Sequence, residues 1–285
     1  AYEFPLRLVG SEDVYKRQKQ TVEKVRLAAE ELGYRPNILA RAMVSGHSRM
    51  IGLVVAYLDN QFYPETLEKL SNALQEKGYH VLVFMAGKDS QSIDGVIEEI
   101  LDYQVDGIIA ASVALSSDLA TRCRTAGVPM VLFNRDQDDP LMSSVTSDNI
   151  AGGRKVAELF LASGHKRIGY ISGWEGASTQ RDREAGFVAR LSEAGRVLYA
   201  RETGDFRMDT AREAALKMFS TDPPDAVFVA NDHMAISVMD TLRHELGIKV
   251  PEDVSVVGYD DVPAIAWPAY DLTTVSYTHL RAHET

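Results

Sequence analysis

Cysteine is almost absent: Cys123 stands alone in 285 residues, so no internal disulfide can form and a buried core must hold the fold. No run of about 18 apolar residues occurs, which excludes a helical membrane span, and the amino terminus lacks an apolar signal region. A reducing cytoplasm fits both facts, and a cytoplasmic location is expected. Catalytic signatures are equally scarce. No G-x-G-x-x-G follows a strand, since Gly169, Gly173 and Gly176 have the wrong spacing, and neither a Walker-type phosphate loop nor a G-x-S-x-G elbow occurs. His279 and His283 stand four apart without a third metal ligand. No nucleophile is paired with a base, so we expect no enzyme, no cofactor and no metal.

What the chain does have is length and a lopsided charge. At 285 residues, 45% of them hydrophobic, it exceeds one ordinary domain and suggests a two-lobed core. The formal charge of −11 is unevenly spread: residues 1–50 hold nine Lys/Arg against six Asp/Glu, leaving 21 against 35, a net of −14, for the remainder. A weakly basic arm on an acidic body suits a DNA tether joined to a ligand-binding core, although chance imbalance in a short segment gives the same count.

From Ile51 onward short apolar runs alternate with amphipathic stretches. The runs 51–57, 79–86, 106–112 and 129–134 are near-continuously apolar, as strands buried on both faces of a parallel sheet should be. Helices are expected at 63–77, 92–104 and 117–126. A second series repeats the grammar, with strands at 167–172, 197–203, 225–230 and 254–259 and helices at about 149–163, 178–194, 208–219 and 233–246. The spacing predicts two doubly wound α/β lobes, 50–147 and 148–275, with a ligand cleft at the carboxyl ends of both sheets.

Polar residues fall at those strand ends. Asn134, Asp148, Asn231, Asp232 and Asp260 are the types that hold a polar ligand through two fixed hydrogen bonds, and equally the types that cap a following helix. Five such positions at strand ends favour a polar cleft.

Ahead of the first lobe, residues 19–49 join an amphipathic helix, with Val25, Leu27, Ala28, Ala29 and Leu32, to a stop at Gly33 and Pro36. A weaker helical piece then runs from Asn37, its cap, to Met43, with Arg41 outward. This arrangement resembles the LacI family of bacterial transcription regulators, whose DNA-binding headpiece leads through a hinge helix into a sugar-binding core similar to periplasmic sugar-binding proteins. The resemblance covers about Gln20 to Val275. It implies a homodimer that binds operator DNA in the complete protein, with Met43 as a minor-groove wedge.

The same resemblance assigns effector contacts to Arg183, in the pattern Arg-x-x-Gly-Phe with Gly186 and Phe187, and to Asp260, to the pair Asn231 and Asp232, and to Phe206. Asn60, Phe62 and Tyr63 match the loop after the opening strand, and Asn134 stands where many relatives have aspartate. Core packing is the alternative for Phe62, Tyr63 and Phe206, and a surface position for Arg183. The effector would be a sugar or sugar derivative. The alternative function is an exported sugar-binding protein feeding a transporter. Segments 1–18 and 276–285 continue neither helix nor strand periodicity and are expected as scar-like ends, leaving a headpiece remnant without a working recognition helix.

Overall fold

Near-continuously apolar strands can be buried only if helices cover both faces of the sheet they form. The computed structural model describes residues 11–34, 46–56, 58–86, 90–113, 117–137, 142–276 and 280–283. The chain divides into two units, Ala1–Ser48 and Arg49–Thr285.

The smaller unit contributes one long helix, α1 (Ser11–Glu31). Residues 11–18, expected outside any element, are its first two turns, because neither Gly nor Pro interrupts the chain between Ser11 and Gly33. The helix stops where Gly33 takes φ +63° and the Tyr34 amide bonds back to the Ala29 carbonyl at 2.8 Å. Arg26 braces it through Glu23 and Glu30. Val22, Val25, Leu27 and Leu32 are exposed. The hinge positions Asn37, Arg41 and Met43 lie outside the described residues.

In the larger unit the first lobe runs β1 (Met50–Val55), α2 (Phe62–Glu76), β2 (His80–Met85), α3 (Ser90–Asp102), β3 (Gly107–Ala111), α4 (Ser117–Thr125), β4 (Met130–Phe133) and β5 (Ser143–Ser147). The second runs α5 (Asn149–Ala162), β6 (Ile168–Ser172), α6 (Ser178–Glu193), β7 (Ala200–Thr203), α7 (Met208–Met218), β8 (Ala226–Val229), α8 (Asp232–Asp240) and β9 (Ser255–Val257). A π-helical turn, Thr241–Glu245, extends α8 to the expected end. Strand β10 (Leu280–His283) closes the described chain.

The first sheet has the order β2-β1-β3-β4-β5-β10 and the second β7-β6-β8-β9. All pairs are parallel except β10 with β5. Both lobes therefore begin with the same reversal between first and third strands, which opens a crevice at the carboxyl ends. One face of the first sheet packs Val54, Ile97, Ile100, Ile108 and Leu132, the other Leu53, Val55, Tyr63 and Ala111. Strand β2 is the exception to burial on both faces: as the sheet edge it leaves Val83 and Met85 exposed. The second lobe is centred on Phe160, Tyr170, Phe187 and Phe228, whose rings meet at centroid distances from 5.0 to 6.2 Å.

Two strands escape the apolar-run reading. Strand β5, SSVTS, is polar in sequence yet pairs with β4. Strand β10 lies within the segment expected as a scar-like tail, and it pairs antiparallel with β5, Leu280 opposite Ser147 and His283 opposite Ser144. Backbone pairing at a sheet edge demands extended chain and free amides, not an apolar pattern. Before it, Thr273 bridges Val257, and the Gly258 and Asp260 amides bond to Thr273 and Val275 carbonyls. The chain thus passes beside β9 on its way back to the first sheet.

Candidate functional site

Six of the nine expected effector residues converge on one cavity at the carboxyl ends of both sheets. Its lining is Asn60, Tyr63, Ser112, Asn134 and Arg135 from the first lobe, and Thr179, Arg183, Phe206, Asn231 and Asp260 from the second. Four of these, Ser112, Asn134, Phe206 and Asp260, have positive φ (54°, 54°, 55° and 124°). For side chains larger than glycine that conformation costs energy, on the order of 1–3 kcal/mol each, and such strain concentrates where side chains must be aimed.

The second lobe builds its half around Arg183, which is 2% exposed. Its Nε donates to Asn149 Oδ1 at 2.8 Å, its Nη1 to the Ala230 carbonyl at 2.5 Å and its Nη2 to Asp260 Oδ1 at 3.4 Å. The guanidinium lies over the Tyr259 ring, 3.8 Å from its centroid. Such a guanidinium is fixed in plane and direction, so the edge it turns to the cavity is preset. Asn231 accepts the Met234 amide through Oδ1 at 3.0 Å and thereby caps α8. Phe206 follows β7, its ring lying where a Gly173 side chain would stand.

In the first lobe Asn60 Oδ1 accepts the Phe62 amide at 3.1 Å, forming the turn that starts α2. Tyr63 donates its hydroxyl to Ser112 Oγ. Arg135, 5% exposed, donates from Nη2 to the Ser112 carbonyl at 2.9 Å and lies 5.2 Å from the Trp174 ring centroid. Lobe-to-lobe bonds flank the cavity: the Asp136 amide donates to Ser178 Oγ at 2.8 Å, and the Ala264 amide to Gln61 Oε1 at 3.2 Å. Between these walls there is room for roughly one water molecule, so a larger ligand enters only if the lobes part.

Three expected residues stand elsewhere. Asp148 caps α5, accepting the Ala151 amide at 3.1 Å. Phe62 stacks on Phe133 at 6.3 Å and turns its edge to Tyr63, lining a neighbouring hollow with Thr66 and Val145. Asp232 is fully buried, accepting Thr274 Oγ1 at 2.6 Å and the Val262 amide at 3.0 Å. Burial, and then the neighbouring Asp260 charge, push its carboxyl up to about 7. It ties the segment beside β9 to α8 and steadies the loop that carries Asp260.

The sequence does not single out Ser112, Arg135 or Thr179. Ser112 ends the run DGIIAAS and obeys the strand-end rule that selects Asn134. Arg135 follows Asn134 directly, but a lone arginine after a strand has the pattern of a solvated residue. Asn149, the first residue of α5, bridges the Arg183 guanidinium to Thr146 and the Ser147 carbonyl.

Among the described residues no group of three His, Cys, Asp or Glu is placed to hold a metal, and no helix is long and apolar enough to cross a membrane. Residues 48–280 match the family model of periplasmic binding proteins and the sugar binding domain of the LacI family. The HTH-type transcriptional repressor PurR of Photobacterium profundum is 28% identical over 269 residues, 93% of this chain and 80% of that protein. The lac repressor dimer bound to operator and the anti-inducer ONPF shares the fold with a TM-score of 0.80 at 26% identity, over 91% of this chain and 79% of that one. The transcriptional regulator CelR in complex with cellobiose gives 0.73 at 30% identity, over 89% and 78%. These relatives are transcriptional regulators, not enzymes, and the two solved structures share the fold. With the match spanning both lobes, this chain belongs to the LacI family of transcriptional regulators, through a core of the periplasmic-binding-protein type.

Proposed function

We propose that the cavity between the lobes is the effector site, and that it takes a small, hydroxyl-rich ring compound, a sugar or sugar derivative. Arg183, Asp260, Asn231 and Thr179 on one wall, and Asn60, Asn134 and Ser112 on the other, supply hydrogen bonds in fixed directions. Phe206 and Tyr63 offer ring faces to the apolar side of a sugar. Asp148, Asp232 and Phe62 act from behind, by capping, tying and packing.

The effector shifts the equilibrium between lobe arrangements, because it bridges both walls only when they stand one ligand apart, wider than in the closed form. A differential affinity on the order of 1–3 kcal/mol suffices for a usable switch. In a homodimer that rotation changes the separation of two hinge segments carrying Asn37, Arg41 and Met43, and with it the fit to operator DNA. The CelR–cellobiose complex and the operator-bound lac repressor support this reading by what those proteins bind. What carries it is the convergence of polar side chains and four positive-φ residues on one inter-lobe cavity.

A thermal-shift panel of pentoses, hexoses, their acids and nucleosides tests it. A ligand at a hundredfold excess over its dissociation constant stabilises the core by about 2.7 kcal/mol. A response confined to purine nucleosides removes the sugar class and leaves the site.

A further inference from the structure

Resting on the reading of the cavity as the effector site, we propose that Gly173 is a positioning residue of that site. By lacking a side chain it seats the ring of Phe206 against the second-lobe wall, and so sets the size of ligand that the cavity admits. Phe206 belongs to the lining and Gly173 stands behind it. A Cβ on Gly173 would overlap Cε1, Cζ and Cε2 of the Phe206 ring, so the far end of the ring lies directly on the backbone just past β6. Gly173 does not take a left-handed φ, and the position therefore calls for room rather than for backbone freedom.

Both sides of this contact are held. The Gly173 amide donates to Gln180 Oε1 at 2.7 Å, and the same oxygen accepts the Tyr170 hydroxyl at 2.8 Å. Gln180 is fully buried and its Nε2 donates to Glu184 Oε2 at 2.9 Å, which fixes the direction of its amide. Phe206 stands in a tight turn with Asp205, both at φ +55°, closed by the Arg207 amide on the Gly204 carbonyl at 2.9 Å. The Gly204 amide donates to the Ser172 carbonyl at 2.8 Å, and a Cβ on Gly204 would stand 2.6 Å from Met234 Sδ. The turn is thus tied to the end of β6 and packed on α8. A methyl group on Gly173 cannot push back a wall held in this way, so it drives the ring off its seat and into the space a ligand would occupy. A loss of room on that scale falls hardest on the bulkier of two similar ligands.

Calorimetric titration of the full chain tests this with probes in pairs of one chemistry and two sizes: each hexose with the pentose of matching hydroxyl arrangement, each hexonate with its pentonate, and each nucleoside with its free base. Gly173→Ala is expected to weaken the larger member of a binding pair by roughly ten-fold or more, and the smaller member less. In a Phe206→Leu background the same change is expected to leave affinity as it was, because the added methyl no longer meets the ring. Melting transitions of all four proteins accompany the titrations. Should Gly173→Ala fail to fold, Gly173→Ala/Phe206→Leu is expected to recover the native transition, and failure of both overturns the seat. Unchanged affinity in Gly173→Ala, an equal loss for both members of a pair, or a loss as large without the Phe206 ring as with it overturns Gly173 as a positioning residue while leaving the cavity reading intact. Binding of no probe to the parent chain overturns the cavity reading and this inference with it.

Discussion

The guanidinium of Arg183 lies flat over the ring of Tyr259, 3.8 Å from its centroid, inside the second lobe. One face is covered by the aromatic ring while the edges bond to Asn149, Ala230 and Asp260, so the charge is taken out of water and still fully directed.

Removing the guanidinium strands its partners. Arg183→Met leaves the Asp260 carboxylate buried without its cation and is expected to cost about 3–5 kcal/mol. Tyr259→Leu removes only one face of the sandwich and some packing, and costs less, about 1–3 kcal/mol. Urea denaturation of both gives the order. A loss in Arg183→Met no greater than in the surface variant Arg154→Met would show that the pair contributes little to the fold.

The helices that carry Asn149 and Arg183 touch backbone to backbone. A Cβ on Gly153 would overlap the Arg183 carbonyl oxygen, and one on Gly186 would overlap that of Ile150. Neither clash can be relieved by turning a side chain. Gly186→Ala should therefore push α5 and α6 apart, destabilise the lobe by about 1–3 kcal/mol and weaken effector binding through displacement of Arg183. Gly195→Ala, with open space around its added methyl but a strained φ of +68°, serves as a control for stability loss away from the site. Effector affinity preserved in a folded Gly186→Ala variant would dissociate the helix crossing from the site.

Asp232 makes stability depend on pH with a definite sign. Its carboxyl is raised from 3.8 to about 7 in the fold, so between those values the native state holds a proton that the unfolded chain has released. Stability is then highest in acid, falls as pH rises from about 4 to about 7, and is level above that range as far as this group is concerned. Asp232→Asn cannot ionise and should remove this component, leaving a variant that loses more relative to the parent at pH 5 than at pH 8. Denaturant midpoints at the two values read it directly, and a difference independent of pH would place the titration elsewhere.

Closure of the lobes rests partly on the Asp136 amide bonding to Ser178 and the Ala264 amide to Gln61. Ser178→Ala deletes one such bond, worth about 0.5–1.5 kcal/mol, from the closed form alone. Because the lobes must part to admit an effector, affinity should rise by roughly three- to ten-fold while the open form is unaffected. Small-angle scattering with and without ligand reports the shift in lobe separation. An unchanged affinity would mean that the amide finds an equivalent partner.

Much of this architecture is written locally. Alternation of apolar runs with helix-period stretches places all eight strands of the two repeating series and the seven helices around them, because a sheet covered on both faces leaves its strands few other choices than Val, Ile, Leu and Ala. The pairing partners of β5 and β10 are invisible in it, since SSVTS and LRAH have no apolar signature and owe their conformation to a free sheet edge several turns of chain away. Helix α1 likewise runs back through residues whose composition shows no periodicity.

The polar cleft divides along the same line. That Asn134, Asn231 and Asp260 stand at strand ends follows from the sequence, because strand lengths and the parallel order fix where the carboxyl ends lie. Which strand-end residues face the ligand and which cap a helix or tie a loop does not, because Asp and Asn suit both tasks and the choice depends on the neighbour that arrives first. Asp148 found the Ala151 amide of its own helix, and Asp232 found Thr274 and Val262 from segments 42 and 30 residues away. Arg135 lies in the cavity only because the second lobe brings Trp174 against it and leaves the Ser112 carbonyl within reach. Sequence determined the two lobes and the polar rim between them; tertiary structure decided which side chains form that rim, because Asn134 and Arg135 of one lobe meet Arg183 and Asp260 of the other only when both sheets are in place.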